Sequence, residues 1–230
     1  MKIKKWILPL AASLLTLAFI LLTCRVTIVA DVLPQTQVNA QGETVLVTQL
    51  TFAEQYTLDN WDSLILPTVR ERAVDLSEFI PAIANDLAAA GEKYGNRDNE
   101  TSPWSFCLKG RVKVLEIESP DKASKTRLVL DTMPYDGIPD IKLQVSTVLK
   151  TNAIRDGVGF LKLDDFTNQV EFAELTKAFN NKIKSSVLNE LDASALAGRE
   201  INLLGCVSIH KADLEELLII PIELETWGGK

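Results

Sequence analysis

The chain has 230 residues, 47% hydrophobic and 24% charged, with a net charge of -7. That composition suits a folded domain with its own core and excludes a disordered polar chain. The acidic balance argues against a nucleic-acid surface. One histidine, His210, and three widely spaced cysteines leave no close-spaced zinc or dithiol motif and no visible partner for a histidine-based triad. His210 reads as a strand-end residue near the surface. No cofactor and no metal is expected.

The chain opens with Met1, Lys2, Lys4 and Lys5, followed by an apolar run from Trp6 to Leu22 broken only by Pro9, Ser13 and Thr16. A basic stretch before an apolar one is an export signature, and the lysines should stay on the cytoplasmic side. Residues 1–24 are therefore a signal, lipoprotein or anchor segment, and the rest of the chain is extracytoplasmic. Three fates stand open. Leu21-Leu22-Thr23-Cys24 resembles a lipobox, with lipid carried on Cys24, although Thr23 replaces the usual small residue. A peptidase can instead cut after Ala30. The segment Trp6 to Ala30 is also long enough to remain as an uncut anchor. Lipidation and anchoring stand level, ahead of free secretion. Residues 25–51 read as a tether.

From Glu54 to Tyr94 the pattern is helical, and Leu76, Phe79, Ile80, Ile83 and Leu87 share one face. Asp75 and Glu78 form a capping-box pair, Gly91 is a plausible helix stop, and Pro67 and Pro81 must start, kink or divide helices. After a polar loop over Gly95–Pro103 the period changes to two. Strands are expected around Phe106–Val114, Leu128–Leu130, Ile141–Val145, Ile201–Ile209 and Leu218–Leu224. Gly110 and Gly205 fall inside strands, where glycine marks a bulge or a sharp bend. Between the third and fourth strands Asn168 and Glu171 cap a helix whose stripe is Phe172, Leu175, Phe179 and Ile183. The expected fold is α+β: a helical subregion (52–95) and a five-stranded OB-like β-barrel with an inserted helix (104–226), sharing one core in a single domain, 52–230.

No Gly-rich phosphate loop, H-E-x-x-H or G-x-S-x-G is present. The polar stretch Lys150–Gln169 holds Arg155, Asp156, Asp164, Asp165, Asn168 and Gln169. Arginine forks carboxylates and sugar hydroxyl pairs, and carboxylates and amides at a helix start suit polar recognition. Arg155, Asp156, Asp165, Asn168 and Gln169 are thus candidates for binding a small polar ligand or a partner. A structural role, with helix capping and an Arg155 ion pair, is the stronger alternative. Asp164 and Asp165 make a poor glycosidase pair, because adjacent residues rarely face one site at the needed separation. Cys107 and Cys206 both lie out of phase with the apolar residues of their strands. Neighbouring strands would let them bridge in an oxidising compartment; otherwise they are two small apolar residues.

The run Ala153-Ile154-Arg155-Asp156-Gly157-Val158-Gly159-Phe160, with Asp165-Phe166-Thr167-Asn168-Gln169-Val170-Glu171, resembles the predicted periplasmic lipoprotein family of domain of unknown function 2291. Lys109-Gly110-Arg111-Val112, Tyr94-Gly95 and Pro221-Ile222-Glu223-Leu224-Glu225 extend the resemblance from about Phe52 to Glu225. Where that family tends to carry a glycine-proline pair and a further glycine, this chain has Ser146-Thr147 and Asn152. The resemblance implies a membrane-tethered periplasmic protein without established activity, encoded beside sugar-uptake transporter components of the ABC type, and hence an accessory role in carbohydrate import. The leading expectation is a non-enzymatic binding protein. The alternatives are a carbohydrate-active hydrolase using Asp165, Asp156 or Glu171, and a purely structural partner of an envelope complex.

Overall fold

The computed structural model describes residues 35–38, 44–47, 50–149, 151–210 and 216–227. The expected targeting segment, with Cys24, lies outside the described residues. Among the described residues no helix is long and apolar enough to cross a membrane. The chain divides into two units, residues 1–49 and 50–230. In the first, β1 (Gln35–Val38) and β2 (Thr44–Val47) pair antiparallel, with Gln35 opposite Val47. The tether expected here thus contains a strand pair. Three of the four β2 residues are β-branched, a bias toward extended backbone that outweighs the polar look of the segment.

The second unit starts with α1 (Phe52–Asn60), held by a reciprocal cap in which Thr51 Oγ1 accepts from Glu54 N and Glu54 Oε2 accepts from Thr51 N. A π-turn over Trp61–Ile65 leads into α2 (Leu66–Arg72), with Pro67 in the first turn, where its missing N–H is harmless. A short strand, β3 (Val74–Asp75), then precedes α3 (Leu76–Asn85) and α4 (Leu87–Tyr94). Asp75 caps α3 through Ser77 N and Oγ; Glu78 does not complete the expected box but accepts from Tyr94 Oη at 2.5 Å. The expected stop at Gly91 is also corrected. The break comes at Asp86, which turns extended and caps α4. Gly91 sits inside α4 because a side chain there would strike the Trp104 ring, 2.3 Å from where its Cβ would stand.

The five expected strands form: β4 (Trp104–Glu118), β5 (Arg127–Thr132), β6 (Ile141–Gln144), β7 (Glu200–Ile209) and β8 (Leu218–Thr226). Together with β3 they make one six-stranded sheet. β4 pairs antiparallel with β5, β5 with β6, and β7 with both β8 and β4, while β6 and β8 run parallel. The pairings therefore return to β4. This is possible because β4 is 15 residues long, far beyond the usual ~5–6. Its Trp104–Lys113 portion meets β7 and its Val112–Glu118 portion meets β5, with a register shift between Val114 and Glu116. Gly205 stands at the other register shift, where a Cβ would lie 2.5 Å from the Ile220 carbonyl oxygen. Gly110 marks no bulge; it lets Leu76 of α3 approach.

Alternation along β4 and β7 separates two apolar cores. Phe106, Leu108, Leu130, Leu143, Val207 and Ile219 pack with Phe79 and Ile83 of α3 on one face. Cys107, Cys206, Ile220 and Ile222 point the other way, toward a helical layer. That layer is α1, α2, α5 (Ala153–Gly157) and α6 (Gln169–Ile183), contributing Val69, Ile154, Leu175, Phe179 and Ile183, with Trp61 edge-on to Phe179 at 5.6 Å. The stripe read from α6 is this contact, with Phe172 only half buried.

Candidate functional site

The residues expected to meet a ligand are held within the chain. Arg155, 9% exposed on α5, directs Nε and Nη2 at Asp156 Oδ1, both at 2.7 Å. Its Nη1 donates to the Phe172 carbonyl at 3.3 Å, and its guanidinium lies over the Phe172 ring at 3.8 Å. A planar cation buried this deeply needs such partners, since an unpaired one would be costly. Asp165 accepts from Lys162 N in a 3₁₀ turn over Leu163–Asp165. Asn168 Oδ1 caps α6 by accepting from Val170 N and Glu171 N, and Glu171 Oε2 accepts from Thr167 N. Gln169 is exposed at the helix start. The structure thus joins Arg155, Asp156 and Phe172, and gives Asp165 and Asn168 separate turn-closing contacts. Asn152 adopts φ -95°, an ordinary right-handed value, so this turn needs no glycine.

Beneath α5 lie the two cysteines. Cys107 and Cys206 stand directly opposite each other across β4 and β7, buried, with their sulfurs 3.5 Å apart. α5 presses down on them at Gly157, where an added Cβ would lie 3.2 Å from Cys107 Sγ and 3.6 Å from Cys206 Sγ. Two side chains from elsewhere clip this helix in place: Arg72 Nε donates to the Gly157 carbonyl at 3.0 Å, and Asn96 Nδ2 to the Asp156 carbonyl at 2.7 Å. The Cys206 thiol donates to Cys107, which draws the Cys107 thiol below its ordinary value against its burial, and the Arg72 cation acts in the same direction. Burial pushes the Cys206 thiol well up.

Of the clefts on the described surface, two have a tryptophan in their walls. The larger, about 480 Å³, has Trp61, Leu66, Ile222 and Leu224 in its walls and is rimmed by Asp62, Glu190, Glu223, Glu225 and Lys182. The other, about 280 Å³, lies where β4, β5, β7 and β8 meet the start of α3. It brings together Asp75, Ser77, Arg111, Thr132, Asn202 and Trp227. Trp227 is 55% exposed, and the Arg111 guanidinium lies 4.5 Å from its ring and 3.6 Å from Glu200. Sequence reading missed this group, because its members are scattered from residue 75 to 227. A tryptophan exposed beyond a strand end is the one signal that could have pointed to it. His210 is exposed just past β7.

The strand order and the helix placed between β6 and β7 define a mixed α+β fold of OB-like type. A crystal structure of an OB-fold protein from Thermotoga maritima is similar to the chain, with a TM-score of 0.63 at 17% identity over 77% of this chain and 99% of that one. No curated protein matches the sequence. The family model of predicted periplasmic lipoproteins (DUF2291) matches residues 16–225, and the chain belongs to that family. It is accordingly a membrane-anchored extracytoplasmic protein of unknown function, in keeping with its basic and apolar start.

Proposed function

We infer that the chain is a non-catalytic, membrane-tethered binding protein whose OB-like barrel takes a small hydroxyl-rich ligand, as an accessory of a sugar-uptake transporter. The observation that carries this reading is the Trp227 cleft. It sets the partly exposed Trp227 ring, with the Arg111 guanidinium over it, beside Asn202, Asp75 and Thr132. Planar polar groups next to an aromatic ring suit a sugar, whose C–H faces stack while its hydroxyls bond sideways. The cleft, rather than the Arg155–Gln169 stretch, then faces the ligand. Engagement of Asp156, Asp165 and Glu171 within their own turns favours binding over hydrolysis. Export to the outer side supports a place beside import machinery, where such ligands arrive.

The test is tryptophan fluorescence and calorimetric titration of the full chain in detergent with a panel of neutral pentoses and hexoses. Saturable binding that disappears in Trp227→Ala supports the reading. A flat response to every sugar at millimolar concentration overturns the ligand assignment. Release of sugar from aryl glycosides would overturn the non-catalytic one. Absence of any transporter component after co-purification from membranes would remove the accessory role.

A further inference from the structure

The two thiols beneath α5 serve neither the cleft nor any contact of the ligand reading, and their placement is specific. They face the same side of two strands, in direct register, 99 residues apart in sequence. Oppositely placed Cβ atoms of an antiparallel pair stand ~4.5–5.5 Å apart, and a disulfide spans ~3.5–4.5 Å between Cβ atoms. The two ranges meet at the short end. Closing the sulfurs from 3.5 Å to a bonded ~2.05 Å therefore needs only side-chain rotation and a slight approach of the strands. Glycine at 157 leaves the sulfurs the space in which to turn.

We propose that Cys107 and Cys206 form a disulfide in the exported protein, and that α5, with its Arg155-Asp156-Gly157 run, is the cover that seals the bond from solvent. The oxidant is a disulfide-bearing carrier of the extracytoplasmic compartment, either an envelope thiol oxidase or an oxidised small thiol. Cys107 is the first nucleophile. Its thiolate attacks the carrier disulfide, forms a mixed disulfide and expels one carrier thiolate. Cys206, once deprotonated, attacks Cys107 Sγ and expels the second. Two protein thiols thereby lose two protons and two electrons, and the carrier disulfide becomes two thiols. Arg72, whose charge favours the Cys107 thiolate, also holds Gly157, so one side chain serves both the reaction and the cover. With both sulfurs buried, a reductant reaches them only when α5 lifts, so the cover sets how fast the bond is reduced.

The experiment starts from cells expressing the full chain, quenched in acid. Proteins are unfolded in denaturant and tagged with a maleimide polymer, with and without prior reduction. Two additional tags after reduction, lost together in Cys107→Ala/Cys206→Ala, are expected; Cys24 adds the same number of tags to both samples. Two cysteines already tagged without reduction would overturn the proposal. Should the double variant fail to fold, peptide mass spectrometry of the parent decides: a linked pair 2 Da lighter than its two thiol peptides supports the bond, and two separate thiol peptides refute it. Asn96→Ala, which frees one clip on α5, should speed reduction of the native protein by a small-molecule thiol several-fold. An unchanged rate would refute the cover.

Discussion

Replacing Asp156 by alanine separates the two readings of the Arg155–Gln169 stretch. Asp156 Oδ1 accepts a charge-assisted hydrogen bond from Arg155 Nε and an ion-pair contact from Nη2 of a guanidinium whose side chain is 10% exposed, and its own side chain is 19% exposed. Without the carboxylate, Arg155 keeps only the Phe172 carbonyl and ring. Removing one partner of a buried ion pair costs about 3–5 kcal/mol, and the residual exposure places this pair at the lower end, ~3 kcal/mol. For a unit of this size each kcal/mol lowers the melting temperature by about 2–4 °C, so Asp156→Ala should lower it by roughly 6–12 °C. Circular dichroism of the full chain in detergent measures this. Arg155→Met/Asp156→Ala, with both charges gone, should recover at least half of the loss, because an apolar chain of similar length fills the space over Phe172. The reasoning is refuted if Asp156→Ala melts within about 1 °C of the parent, or if the double variant is less stable than either single one.

Gly205→Ala should destabilise by ~3 kcal/mol, since its Cβ would meet the Ile220 carbonyl at 2.5 Å and backbone cannot yield; a chemical denaturation midpoint like the parent's would contradict this. The cluster of Arg127, Lys142, Glu118 and Glu216 sets a pH window. Glu216, bonded to Lys142, is held below its ordinary value, so its contribution is present above the unfolded carboxyl value of about 4.3 and is lost as pH falls through the folded one. Lys142, raised by Glu118 and then Glu216, contributes below about 10.4 and loses that contribution as pH rises through its folded value. Glu216→Gln should flatten the acid limb of stability against pH by less than ~1 kcal/mol, given the partial exposure of the network, and an unaltered limb would count against the assignment. Labelling with a fatty-acid analogue should disappear in Cys24→Ala; a parent that never takes the label would mark Trp6–Leu22 as an uncut anchor.

What repeats over short distances was legible in the chain before it folded. Alternation placed all five strands of the closed pairing, the 3.6-residue stripe and Asn168 cap placed α6, and the phase of Cys107 and Cys206 set both on the same side of their strands. The basic and apolar start indicated export because a targeting segment is read by composition rather than by fold. Some local signals misled because a distant group intervened. Gly91 looked like a helix stop until Trp104 explained it, and Glu78 left its expected cap for Tyr94. The candidate site depended on such distances throughout. Arg155 and Asp156 are polar neighbours on paper, and only the packing of α6 shows that Phe172 closes over them. The Trp227 cleft joins five separate segments. The meeting of Cys107 with Cys206 depends on the register of β4 against β7, which is fixed by the apolar cores on both faces of the strands rather than by the cysteines' own phase. Periodicity states which way a side chain points; which partner it finds there is decided when the chain closes on itself.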